Sequence, residues 1–524
     1  MKRLLAMFLL ALTAAPAFAA PDTLTILCYH EARDDVRDYP DPYAVDSEAL
    51  VRQFAWLRAN GYTPVKLDEV IAARQGGKPL PPKAVLLTFD DSYLSFHTRV
   101  YPLLRAFNFP AVLGVVGKWI GNPPSSAGPF GEKSTVPEAS FTTWNQLREM
   151  TASGLVEIAS HSYDLHRGVP GNPQGNLQPA ATSRIRDAAT GGYESDAVWR
   201  ARIREDLARN SQLIESETGR RPRVVVWPYG SYNEELVRIA GELGMPVALT
   251  LNSGFNTPEV PLNALRRVLI EHNPSLGDFA LAVRGPVHPE PLRLIRVSLD
   301  RVYSADAAQQ ELNLSRLLDR IKLLNPSHVV LQATADLDGD GVADATYFPT
   351  QHLPLRADLL NRVAWQLATR SGVVVFAALQ VTATRLTENQ IADTYEDLAR
   401  HSSVAGLLFS HGSSEFTQRA AERARRWRAP LKVVREHADE SQAAADHAAD
   451  YVVLPGAPRD AAPSTNGRFI YLLPAGEGRQ MAREMRALQL RGALNFGYGG
   501  DDYSSDLPPL RQIAPALSLR THPN

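Results

Sequence analysis

Ala84-Val85-Leu86-Leu87-Thr88-Phe89-Asp90-Asp91-Ser92-Tyr93 is an apolar run that stops at two adjacent carboxylates. A run of this kind fits a buried strand, and in α/β folds the carboxyl ends of strands are where functional groups gather. Outward from it, between Leu24 and Val268, six more short runs alternate with segments of helical period: TLTILCY, TPVKL, AVLGVVG, VEIAS, RVVVW and VALTL. That alternation predicts parallel strands with crossover helices. Leu50, Phe54 and Leu57 fall at helical spacing after Asp46-Ser47, a capping pair, and Gly61 ends the pattern. Two polar stretches, Gly121–Ser140 and Gly168–Gly192, read as loops long enough to be functional.

Near Gly285-Pro286-Val287-His288-Pro289-Glu290-Pro291 the chain turns Pro-rich and aperiodic, which places a domain cut there. Beyond it come eight further strand-like runs, LIRVSL, HVVLQAT, VVVFAAL, VAGLLFS, LKVVRE, YVVLP, FIYLLP and ALNFGY. Eight runs suggest a (β/α)8 barrel, although an open doubly wound sheet shares the same local pattern. The length, 524 residues with 44% hydrophobic and 21% charged, suits two or three folded domains. A net charge of −2 offers no polycationic surface and excludes nucleic acid as the expected partner.

The first twenty residues place Lys2 and Arg3 before a short apolar run and end in small residues around Ala17-Phe18-Ala19, the pattern of a secretory signal. The apolar stretch falls short of the ~20 residues that span a bilayer, so cleavage is expected and a transmembrane anchor is not. The sole cysteine, Cys28, cannot form an internal disulfide and sits in an apolar run, as a buried structural thiol would.

The carboxylates of Asp90 and Asp91, adjacent on an extended backbone, are expected to point apart, one free to hold a cation and the other to accept a proton from water. Ser160-His161-Ser162-Tyr163-Asp164-Leu165-His166 follows another strand. Its two imidazoles lie about 140° apart at ~3.6 residues per turn and converge only if the segment is a turn or loop. Two neutral histidines and one aspartate make the three protein ligands of an open catalytic metal site. Tyr29-His30 and Val226-Trp227-Pro228-Tyr229-Gly230 also end strands, and four polar strand ends are best read as one site.

The ordered series CYHEARDD (28–35), QFAWLRANGY (53–62), LTFDDSYLSFHTRVYPLLRAFNFPAVL (87–113), IASHSYDLH (158–166), VWPYGSYN (226–233) and RVLIEHNPSLGDFA (267–280) resembles the periplasmic poly-β-1,6-N-acetyl-D-glucosamine N-deacetylases of biofilm export systems. These are relatives of the carbohydrate esterase family 4 polysaccharide deacetylases. The resemblance continues through residues 331–379, 395–409 and 488–498, and so covers nearly the whole chain after the signal.

It implies a signal peptide at 1–20, an N-deacetylase domain at 21–285 with an incomplete (β/α) barrel, and a reduced (β/α)8-like barrel at 286–524. By the same comparison Asp91, His161 and His166 would be metal ligands and Asp90 the general base. His30 would be the general acid, near the domain start because this branch looks circularly permuted. The Tyr229 backbone N–H would stabilise the oxyanion, and Trp227 would shape the pocket. The cofactor implied is one divalent transition metal, zinc, nickel, cobalt or iron. The partners implied are an N-acetylglucosamine polymer and an outer-membrane export porin, and the location is the periplasm. Chitin-like oligomers and peptidoglycan offer the same acetamide chemistry, and a weakly active polysaccharide-binding scaffold is the alternative of another class.

Three departures bear on these expectations. Ser92 stands where the family has glycine; if the backbone there needs φ > 0, serine costs roughly 1 kcal/mol and could shift the aspartates. After the fourth strand of the second domain, Ser410-His411-Gly412 replaces the family's His-Asp-Asp, so the carboxyl pair needed for glycoside hydrolysis is missing. Asp300 and Glu436 are the remaining candidates for such a pair, and the degenerate barrel is expected to bind polymer. Finally, Asp336, Asp338 and Asp340 with Gly341 have the spacing of a calcium loop, but Tyr347 occupies the twelfth position, which favours a solvated acidic loop.

Overall fold

The computed structural model describes residues 23–37, 41–121, 140–285, 290–379, 386–456 and 467–519. The signal at 1–20, almost all of the loop predicted at 121–140, and Pro286–Pro289 of the predicted domain joint lie outside the described residues.

The first unit is built on eight strands: β1 (Leu24–Tyr29), β2 (Thr63–Pro64), β3 (Ala84–Phe89), β4 (Ala111–Val115), β5 (Val156–Ser160), β6 (Val224–Val226), β7 (Val247–Leu249) and β8 (Val268–Leu269). All pair in parallel in the order β7-β6-β5-β4-β3-β1-β8, with β2 beside the start of β3. Among the described residues the curled sheet is not closed by a ladder, in keeping with an incomplete barrel. Its strands are continuously apolar because both faces are covered. Val85, Leu87 and Phe89 pack outward with Leu50, Phe54 and Leu57, while Ala84 and Leu86 pack on the other face with Val224 and Val226.

The seven predicted runs are all strands; the eighth, β8, is a two-residue strand too short to carry a periodic signal. Helix α1 (Ser47–Ala59) begins where Asp46 accepts bonds from the Glu48 and Ala49 amides, and buries Leu50, Phe54 and Leu57.

The stretch 168–192 is not wholly a loop. Gly168–Pro170 and Leu177–Pro179 form an antiparallel hairpin, its turn closed by Gly175 N–H to the Asn172 carbonyl. The polar residues that suggested a loop supply this turn and its contacts with the second unit: Gln178 Nε2 donates to Asn361 Oδ1 at 3.0 Å and Arg362 Nη1 to Asn176 Oδ1 at 2.8 Å. Helix α2 (Asp196–Thr218) follows, and helix α3 (Glu234–Glu242) comes after β6.

The second unit is a closed parallel barrel in sequential order: β9 (Arg293–Ser298), β10 (His328–Gln332), β11 (Val374–Leu379), β12 (Gly406–Phe409), β13 (Lys432–Glu436), β14 (Tyr451–Pro455), β15 (Phe469–Pro474) and β16 (Asn495–Gly499). β16 closes on β9 with Leu294 opposite Gly497. A Cβ at Gly497 would lie 1.8 Å from the Leu294 carbonyl oxygen, so this seam accepts only glycine. Leu294, Val330, Phe376, Leu408, Val434 and Ile470 fill the interior. All eight predicted runs are present, and closure excludes the open-sheet alternative. Among the described residues no helix is long and apolar enough to cross a membrane.

Candidate active site

The site lies at the carboxyl ends of β1, β3, β5 and β6. As β3 ends, the Asp90 amide donates to the Tyr29 carbonyl, and the chain then takes two left-handed residues, Asp91 (φ 73°) and Ser92 (φ 61°). The two carboxylates diverge because of this turn, not because the backbone is extended as expected. Ser92 does adopt the positive φ that glycine favours, but its hydroxyl accepts the buried Val116 amide at 3.1 Å and faces the Gly114 carbonyl at 3.4 Å. The backbone cost therefore comes with a hydrogen bond that glycine cannot make.

Asp91 turns toward both imidazoles: its Oδ1 lies 3.3 Å from His161 Nε2 and 3.2 Å from His166 Nε2. The histidines converge because 161–166 is a turn, with Ser162 at φ 70° and the Tyr163 and Asp164 amides held by Asp206. His161 Nδ1 donates to the Val226 carbonyl at 2.8 Å. A carbonyl can only accept, so this bond places a proton on Nδ1 and turns Nε2 toward Asp91.

One ligand atom from each of Asp91, His161 and His166 lies within 4.8 Å of the others, and Asp91 Oδ1 is a buried oxygen with no hydrogen bond of good geometry. An orphaned carboxylate oxygen facing two imidazole nitrogens fits a divalent cation better than a hydrogen-bonded cluster. Burial alone would raise the Asp91 carboxyl, but His166 and His161 hold it well below the usual range. Gly114 lies so close that a Cβ there would already touch Asp90 Oδ1 and His161 Cβ, at 3.4 and 3.5 Å.

Asp90 faces other partners. Arg267, fully buried, donates from Nη1 to Asp90 Oδ1 at 2.8 Å and from Nε to the Thr250 carbonyl at 2.9 Å. Burial acts to raise the Asp90 carboxyl, and the Arg267 guanidinium, helped by His161 and His30, outweighs it and holds the group below its ordinary range. Cys28 Sγ approaches Asp90 Oδ2 at 3.5 Å, and burial pushes its thiol well up, as for an inert neutral donor. His30 is partly buried; one of its ring nitrogens lies within 4.8 Å of Cys28 Sγ and an Asp90 oxygen, and its Nδ1 is buried without a hydrogen-bond partner.

Tyr229 adopts φ 59° in the short Pro228–Gly230 turn, with its ring 4.3 Å from that of His166. Trp227 is 1% exposed and belongs to an apolar cluster with Leu165, Trp199 and Tyr232. The structure thus brings together His30, Asp90, Asp91, His161, His166 and Tyr229, while the Trp227 indole is packed in the apolar core. Arg267 and the Cys28 contact were not anticipated. The available signal was an arginine opening the apolar run RVLI, a charge that needs a buried partner.

In the second unit, Arg296, Asp300, Gln332, Ser410, His411 and Glu436 line a cavity of about 460 Å³ at the carboxyl ends of the barrel strands. Both candidate carboxylates already hold guanidinium partners: Glu436 pairs with Arg296 at 2.7 Å, and Asp300 with Arg356 at 2.6 Å and the Tyr347 hydroxyl. In the acidic loop, Asp336 accepts the Gly339 and Gly341 amides, Asp338 that of Asp340, and Asp340 that of Val342, so backbone donors engage all three carboxylates.

Residues 77–248 match the family described as polysaccharide deacetylase, and residues 296–390 the one described as hypothetical glycosyl hydrolase family 13. The poly-β-1,6-N-acetyl-D-glucosamine N-deacetylase of Escherichia coli (strain K12) is 38% identical over 416 residues, 73% of this chain and 62% of that protein. The BpsB deacetylase domain of Bordetella bronchiseptica is 46% identical, covering 48% of this chain and 96% of that one, with a TM-score of 0.44. The chain belongs to the polysaccharide deacetylase family. It spans 62% of the length of the curated Escherichia coli relatives. The PgaB (BpsB) glycoside hydrolase domain of Bordetella bronchiseptica is 26% identical, covering 44% of this chain and all of that one, with a TM-score of 0.39.

Proposed function

We propose that this chain is a metal-dependent N-deacetylase of exported poly-β-1,6-N-acetyl-D-glucosamine. The convergence of Asp91, His161 and His166 beside an arginine-clamped Asp90 carries the reading. The substrate is taken from relatives named for that reaction in Escherichia coli and Staphylococcus epidermidis. Asp91, His161 and His166 would hold a divalent first-row cation, which would supply Lewis acidity toward the acetamide carbonyl and a more acidic water.

Asp90 is the general base. Arg267 keeps it ionised and fixes Oδ1, leaving Oδ2 to take the proton of the attacking water. The Tyr229 amide stabilises the oxyanion at the left-handed turn. His30 delivers a proton to the sugar nitrogen, because an amine leaves poorly as an anion. Residues 1–20 act as a cleaved secretory signal, residues 21–285 form the deacetylase domain in the periplasm, and an outer-membrane porin receives the product. The second domain, 286–524, holds glycan without cleaving it, in keeping with the guanidinium partners of Asp300 and Glu436.

Acetate release from β-1,6-linked N-acetylglucosamine oligomers, with chitin oligomers and peptidoglycan in parallel, tests the reading. Chelator-sensitive release with preference for the β-1,6 linkage is expected. No release with zinc, nickel, cobalt or iron would refute it.

A further inference from the structure

The loop that carries Tyr229 is held from the second domain. Helix α4 (Ser414–Arg425) is followed by a turn, Arg426–Ala429, that leads toward β13. This turn meets the first unit along residues 232–235. The Asn233 side-chain amide donates to the Trp427 carbonyl at 3.2 Å, the Glu235 amide to the Arg426 carbonyl at 3.4 Å, and the Ala429 amide to the Tyr232 carbonyl at 3.4 Å. Tyr232 and Ala429 thereby form an antiparallel bridge between the units.

The Trp427 indole is 3% exposed and lies inside the first unit's core cluster, with Trp199, Trp227, Tyr232 and Leu236. Its ring meets Trp199 edge-on at 5.9 Å. Guanidinium groups lie over it from both sides of the contact, Arg184 at 4.7 Å and Arg400 at 4.7 Å, while its Nε1 donates to Glu396 at 2.8 Å. Such a ring is fixed in position as well as buried.

Tyr229 stands three residues before Tyr232, in a left-handed conformation that a bulky non-glycine residue holds only where its surroundings over-determine it. Upstream the loop is anchored by β6, with the Trp227 amide on the Leu249 carbonyl. Downstream, the backbone anchors of residues 232–235 outside helix α3 come from the Arg426–Ala429 turn. Asn233 joins both roles: its Oδ1 caps α3 by accepting the Leu236 amide at 2.8 Å, and its Nδ2 reaches Trp427.

We propose that the second domain positions the catalytic loop of the first, with Trp427 as a positioning residue for N-deacetylation. This rests on the reading that the Tyr229 amide meets the oxyanion. Trp427 does not touch that site, so loosening it displaces a donor that matters chiefly in the transition state. The effect falls on kcat and spares KM.

The test uses the full chain with Trp427→Ala, Trp427→Phe and Asn233→Ser, the last keeping a capping oxygen for α3 while removing the donor to Trp427. Trp427→Ala is expected to lower kcat about tenfold with KM changed less than about twofold, since a small misplacement of a catalytic group has effects of this order. Amide exchange at residues 229–233 rises in the same variant, and Trp427→Phe, which keeps the ring packing, restores most of kcat. A folded Trp427→Ala chain with unchanged kcat and unchanged exchange overturns the proposal, as does a change confined to KM. If Trp427→Ala does not fold, Asn233→Ser decides by the same two readouts. If the wild-type chain releases no acetate, the functional reading fails, and exchange at 229–233 alone decides whether the turn holds the loop.

Discussion

Arg267 and Asp90, 177 residues apart in sequence, form a fully buried ion pair at 2.8 Å, and Asp90 is the carboxylate next to the candidate metal ligand. The arginine keeps that carboxylate charged in a place where burial favours the neutral acid. A general base at this position therefore depends on a residue that immediately precedes the last strand of the sheet.

Replacing Arg267 with Met leaves Asp90 buried and unpaired, which costs about 3–5 kcal/mol of stability. Adding Asp90→Asn to that variant recovers part of the loss but none of the activity. Urea unfolding of both single variants and the double variant measures the coupling, and additive losses would show that the pair is not coupled.

Metal binding is expected to depend jointly on Asp91, His161 and His166. At a free zinc concentration of about 100 Kd, the wild-type chain gains about 2.7 kcal/mol by mass action, and chelator reverses the gain. His161→Ala and Asp91→Asn lose the shift. Thermal unfolding with and without zinc, beside elemental analysis, reads this out, and a full shift in either variant would remove that residue from the ligand set.

Ser92→Gly relieves the left-handed strain but deprives the buried Val116 amide of its acceptor. An unsatisfied buried donor costs about 1–3 kcal/mol against roughly 1 kcal/mol of backbone relief, so a net loss of about 1 kcal/mol is expected with kcat nearly unchanged. Ser92→Ala keeps the strain and loses the bond, and is expected to be the less stable of the two by denaturant midpoint.

Asp358, where the Tyr193 hydroxyl crosses between the units, has its carboxyl pushed by burial from 3.8 up to about 6. The folded chain therefore binds this proton more tightly than the unfolded one. The contribution is fully present below about pH 4 and is lost as pH rises to about 6, with a limit of about 3 kcal/mol. Asp358→Asn removes that slope. Unfolding free energies of both chains from pH 4.5 to 7 should diverge in favour of the variant as pH rises, and parallel curves would refute the assignment.

Polymer incubated with the full chain is expected to lose acetyl groups without becoming shorter. Hydrolysis needs an acid and a second carboxyl group placed across the scissile bond, and both candidates, Asp300 and Glu436, are held by arginines. Sizing of the products decides this, and shortened chains would restore the barrel as a hydrolase.

Local sequence was sufficient for the eight barrel strands of the second unit and for seven of the eight sheet strands of the first, because burial on two faces writes continuous apolar runs into each segment; the two-residue β8 and the 168–179 hairpin carry no such run. It also located Asp90, Asp91 and His161 at strand ends, since a polar group that interrupts such a run at its carboxyl end marks a strand mouth, whereas the approach of His166 needs the turn that follows. Closure of the second barrel, the left-handed turn at Asp91 and Ser92, the Arg267–Asp90 pair and the docking of Trp427 into the first unit's core beside Trp227 and Tyr232 were decided only in three dimensions. Periodicity reports the environment of a segment averaged over its neighbours. Which charge meets which carboxylate, and which domain steadies which loop, depends on sheet register and packing between segments that no local pattern relates.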